Sequence, residues 1–110
     1  MTAPSVWCIY FVAQCQRTQP YPKDKYVAIV CRDSLGCFGF FINSDIRQYA
    51  QTRPALLHSQ VKITVSEYPF LKHDSYINCA ELNDFPDDTL KSLCGRIGDH
   101  TKQQINDCGT

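Results

Sequence analysis

The sequence predicts a mainly β fold, a small antiparallel β-barrel capped by a terminal helix. Three features lead there. About five short apolar or alternating runs follow one another, segments rich in Pro, Gly, Asp and Ser separate them, and one clear helical stripe stands near the end of the chain. With 110 residues and no repeat, low-complexity stretch or linker, residues 1–110 are expected to form one domain.

The first run, Val6 to Ala13, is aromatic and β-branched and reads as a strand buried on both faces. It falls far short of the roughly 20 apolar residues that span a bilayer. It has no basic leader and reads as a core strand rather than a targeting segment, so no membrane association is expected. Gln14 to Lys25, with Pro20 and Pro22, is a polar loop that carries Arg17, Tyr21, Lys23 and Lys25. Tyr26 to Arg32 and Cys37 to Ile42 then form a hairpin of buried strands around the turn Asp33-Ser34-Leu35-Gly36. Gly39, inside the second of these strands, marks a bulge or a close backbone approach.

Ser44 has the character of an N-cap, with Asp45 in the first turn and Ile46 and Tyr49 one helical turn apart. A short helix is expected there, ending before Pro54. Gln60 to Glu67 alternates, with Val61, Ile63 and Val65 on one face and Lys62, Thr64 and Ser66 on the other. Pro69 ends this strand, and Ser75 to Cys79 is a further short one after the polar corner Lys72-His73-Asp74. Pro86, Asp87 and Asp88 suit a helix N-terminus. The helix expected from there buries Leu90, Leu93, Cys94 and Ile97 and ends at Gly98. Asp99 to Cys108 reads as a second short helix with little core.

Hydrophobic residues make up 44% of the chain and charged ones 20%, which excludes disorder and fibrous repeats. Eleven basic and eleven acidic side chains cancel, so any nucleic-acid site must be a local patch rather than a global positive field. The seven cysteines are odd in number and none shows Cys-x-x-Cys spacing. Their apolar neighbours point to reduced, core-packing thiols in the cytoplasm rather than to bridges or a metal site. No His-x-x-x-His, acidic cluster or Walker-type glycine loop is present, so neither a metal nor a nucleotide cofactor is expected.

Lys25 to Val30, Val61-Lys62-Ile63-Thr64-Val65-Ser66, His73-Asp74-Ser75-Tyr76-Ile77-Asn78-Cys79 and Leu90 to Gly98 together resemble the MazF/PemK toxin family over about two thirds of the chain. The resemblance implies an SH3-like barrel, a homodimer, cleavage of single-stranded RNA in a toxin–antitoxin or phage-defence setting, and an antitoxin that blocks the groove. It puts the family's hydroxyl on Thr64 or Ser66 and its basic position on Arg17, Lys23 or Lys25. The family's Arg-Pro pair at the start of the second strand has no counterpart here, and a lysine lacks the planar fork with which arginine grips a transferring phosphate.

RNA cleavage without a metal needs a cation for the pentavalent phosphate and groups that move protons to and from oxygen. The candidate catalytic residues are Arg17 as phosphate clamp, Thr64 and Ser66 as orienting hydroxyls, and His73, an exposed imidazole suited to proton transfer near neutral pH. Lys23 and Lys25 are candidate RNA-binding cations. Tyr21 and Tyr68, beside prolines in polar segments, are candidate stacking faces for unpaired bases. Phe70-Leu71 is an alternative apolar contact for a protein. A ribonuclease toxin and a non-catalytic barrel that binds a protein or nucleic acid both remain open.

Overall fold

The computed structural model describes residues 4–15, 22–44 and 52–108. Among the described residues seven strands run β1 (Cys8–Cys15), β2 (Lys23–Asp33), β3 (Gly36–Asn43), β4 (Gln60–Ile63), β5 (Ser75–Asn78), β6 (Asn83–Phe85) and β7 (Ser92–Arg96). A one-turn helix α1 (Pro54–His58) precedes β4, a 3₁₀ turn covers Asp87–Thr89, and helix α2 (Asp99–Cys108) closes the chain. The strands pair antiparallel in the order β4-β5-β3-β2-β1-β7, with β6 added beside β3. The two ends of that order do not meet, so the expected barrel is a curled half-barrel sheet with a C-terminal helix.

The unbroken apolar run of β1 has a direct cause. Cys8, Tyr10 and Val12 face one core together with Val27, Ile29, Cys37, Phe85 and Leu90, while Ile9 faces a second core with Ala28, Ile42, Val61, Ile63 and Ile77. Residues that alternate across a strand must all be apolar when both faces are covered. On the second face the cover comes from Tyr68, Leu71 and Ile97, and from Ile105 of α2.

Gly39 confirms the close approach. A Cβ there would stand 2.2 Å from the Ala28 carbonyl oxygen, and opposite it the β2–β3 register slips between Ile29 and Cys31. The turn is held by Asp33, whose carboxylate accepts the N–H groups of Leu35 and Gly36 at 2.8 and 3.2 Å.

Several expectations need correction. The helix over Pro86 to Ile97 does not exist: its residues form the 3₁₀ turn and β7, which pairs with β1. Leu90 and Ile97 are buried as expected, but Leu93 is 60% exposed. The terminal helix is the segment expected to have little core, Asp99–Cys108, and it buries Thr101 and Ile105. The strand expected over Gln60 to Glu67 stops at Ile63, and residues 65–67 turn. Pro54 itself begins a one-turn helix, and the helix expected after Ser44 falls on residues 45–51, outside the described residues.

All seven cysteines are free thiols. Cys8, Cys15 and Cys37 are buried, and Cys79, Cys94 and Cys108 pack half-buried against the second core. Cys31 departs from the core reading, since it is exposed on β2. Among the described residues no helix is long and apolar enough to cross a membrane.

Candidate functional site

Lys25 and His73, 48 positions apart, line one cleft of about 180 Å³. Lys25 stands near the start of β2, its ammonium donating to Asn43 Oδ1 at the end of β3 and lying 5.8 Å from the Phe41 ring centroid. His73 stands in the corner before β5. That corner is clamped from below: Ser75 is buried and its hydroxyl donates to the His73 carbonyl at 2.9 Å. Lys72, Asp24, Ser44 and Tyr26 complete the walls.

Lys72, His73 and Asp24 thus line, with Lys25, a cavity large enough for a phosphate group, while the Lys25 ammonium itself is held at Asn43 and the Phe41 ring. Tyr26 is fixed there by its hydroxyl, which donates to the Phe70 carbonyl at 3.2 Å, and by ring contacts of 5.4 Å with both Phe11 and Phe70.

Thr64 and Ser66 stand just beyond this cleft and do not line it. Their hydroxyls are 3.1 Å apart, and Thr64 Oγ1 also donates to the Glu67 carboxylate at 3.1 Å. The turn that carries them is tied to the His73 corner by Asp74, whose carboxylate accepts the Val65 N–H at 2.9 Å. Lys23 is exposed at the beginning of β2, opposite Cys15, and is not part of the cleft lining.

Tyr68 is not an exposed stacking face. It is 5% exposed, and its hydroxyl donates to Thr101 Oγ1 at 2.8 Å while accepting the Gly98 N–H at 3.1 Å, so it is an interior post that docks α2. Leu71 is likewise buried, which removes it from the expected apolar patch and leaves Phe70 half-exposed beside it. Arg17 and Tyr21 lie outside the described residues.

A wider groove of about 710 Å³ runs between the end of β1 and residues 85–92, with Phe11, Phe85, Pro86, Lys91 and Asp88 on its walls. Reading 86–97 as a helix concealed it. Lys72 and Asp24 were also missed as site residues, although the Lys72-His73-Asp74 corner was legible as a polar turn.

Beside the turn of the β2–β3 hairpin, Arg32 grips Asp87 with two hydrogen bonds of 2.9 and 2.7 Å. The guanidinium holds the Asp87 carboxyl below the usual range, with a smaller contribution from the Cys37 thiol, and the carboxylate raises Arg32 in turn. Burial pushes the Cys37 thiol up, so this cysteine stays protonated and is no nucleophile. Among the described residues no group of three His, Cys, Asp or Glu side chains is placed to hold a metal ion.

The fold has solved counterparts. The Mycobacterium tuberculosis toxin MazF-mt6 superposes over 92% of this chain and 90% of its own, with a TM-score of 0.67 and 14% identity. This chain has the MazF fold. A mycobacterial endoribonuclease solved in complex with its cognate antitoxin superposes as well, over 98% of this chain and 90% of its own, at a TM-score of 0.65 and 18% identity. No protein-family model and no curated protein sequence matches the chain. The MazF likeness therefore lies in the path of the backbone, in the half-barrel and the terminal helix.

Proposed function

We propose that the protein is a toxin-type endoribonuclease that cleaves single-stranded RNA in the cleft between Lys25 and His73. The observation that carries this reading is that cleft, whose lining brings Lys72 and His73 together with Asp24 and Lys25, on a fold shared with toxin endoribonucleases. Cleavage proceeds by attack of a ribose 2′-oxygen on the adjacent phosphorus, leaving a cyclic phosphate and a free 5′-hydroxyl. Lys25 and Lys72 stabilise the charge that grows on the phosphoryl oxygens, and His73 moves the proton. Arg17 adds a second clamp, Thr64 and Ser66 orient the phosphate, and Lys23 and Tyr21 hold the flanking nucleotides. The active form is a cytoplasmic homodimer, and an antitoxin segment covers the wider groove beside β1.

The test is incubation of purified protein with mixed-sequence single-stranded RNA in the presence of a chelator. Fragments ending in cyclic phosphate are expected, and Lys25→Ala and Arg17→Ala should each lower the rate by about 10² or more. His73→Ala should remove one limb of the pH–rate profile. Intact RNA would instead favour a non-catalytic barrel that binds a protein or nucleic acid. One contact supports that second reading: the Thr64 hydroxyl is already committed to the Glu67 carboxylate, which repels a phosphate.

A further inference from the structure

Cys79 and Cys108 belong to elements far apart in the chain, yet they meet at one turn. Cys79 follows the last residue of β5, and its N–H donates to the Ser59 carbonyl at 2.8 Å. Cys108 ends α2, and its thiol donates to the neighbouring His58 carbonyl at 3.5 Å. Both side chains pack half-buried against the same core, and the consecutive residues His58 and Ser59 hold them at one place, each through its carbonyl.

We propose that Cys79 and Cys108 form an oxidation-sensitive pair that closes into a disulfide and staples the end of α2 to β5. Burial, reinforced by the Cys108 sulfur, pushes the Cys79 thiol up to about 12, so Cys79 stays protonated and Cys108 meets the oxidant first. With hydrogen peroxide as oxidant, the Cys108 sulfur attacks one peroxide oxygen, the O–O bond breaks and water leaves, giving a sulfenic acid. The Cys79 sulfur then displaces the hydroxyl as a second water and the S–S bond forms. Two thiols lose two electrons and two protons, and one peroxide becomes two waters.

The bridge closes a loop of about 30 residues that holds β6, β7 and α2. In the chain-entropy view it should raise the thermal midpoint by about 10 °C or more.

Peptide mapping tests this directly, because trypsin separates the two cysteines into peptides 73–91 and 103–110, each carrying only that one. After the native protein is treated with dilute hydrogen peroxide, the two peptides should be recovered linked and the protein should melt higher, with both changes reversed by dithiothreitol. Cys108→Ser, at the helix end, should melt like the reduced wild type and show neither change. A Cys31→Ser background removes crosslinks between chains through the exposed thiol. Recovery of the two peptides unlinked, as thiols or as sulfinic acids, would overturn the proposal, and so would a linked form that melts no higher than the reduced one.

Discussion

Tyr68 shows how one hydroxyl can join three parts of a small fold. Its oxygen bonds Thr101 of α2 on one side and the Gly98 N–H at the entry to that helix on the other, both inside a core from which water is largely excluded. Tyr68→Phe keeps the ring and removes the oxygen, leaving a buried hydroxyl without its partner. Denaturant unfolding should register a loss of about 1–3 kcal/mol. The sequence around Tyr68 suggested exposure because Glu67 and Pro69 flank it, while the partner that explains it lies 33 residues away. The same distance problem hid the cleft, since no local pattern connects Lys25 with His73. A second residue-scale expectation concerns Asp87. Its folded pKa lies below the unfolded value of about 3.9, so its pairing stabilises the fold above that pH and the benefit disappears as pH falls through the folded value. In melting curves taken from about pH 5 down to about pH 2, Asp87→Asn should show a shallower acid limb than the wild type.

At the scale of elements, the segment from Leu90 to Ile97 separates what pattern can and cannot decide. Leu90, Leu93 and Ile97 have helical spacing, and Pro86-Asp87-Asp88 has the composition of a helix start. Pairing with β1 overrides both, since Tyr10 stands opposite Leu93 and Ile9 opposite Gly95. Gly95 was the legible warning, because a glycine inside a helix costs about 1 kcal/mol relative to alanine, whereas here it makes room for the Phe70 ring. The strand assignment has a sharp consequence. Leu90→Ala empties a buried site and should cost about 2–5 kcal/mol, while Leu93→Ala, on an exposed face, should change stability by no more than about 0.5 kcal/mol. Equal losses in thermal melts would restore the helix. The β2–β3 hairpin, by contrast, was readable around its turn, because Asp33 and Gly36 act within four residues of each other and Gly39 marked a bulge or a close approach, although β2 begins at Lys23, inside the segment expected to be a loop.

Over the whole molecule, two cores share one sheet, and the sharing governs how the fold comes apart. Ile9 and Ala28 feed the core beneath α2, while their chain neighbours Cys8, Tyr10, Val27 and Ile29 feed the core beneath Phe85 and Leu90. β1 and β2 cannot leave one core without exposing the other, because a strand that peels off withdraws both of its faces at once. Unfolding should therefore be a single cooperative event despite the two clusters. Ile105→Ala weakens the first core and Leu90→Ala the second, each by about 2–5 kcal/mol. Both variants should show one transition shifted to lower temperature, with near-ultraviolet circular dichroism and calorimetry coincident. The two losses should add in the double variant, since the sites lie in separate clusters and share no partner. Two resolved transitions in either single variant would mean that α2 and its core melt independently of the half-barrel. In that case β1 and β2 would not be the element that binds the two cores into one unit.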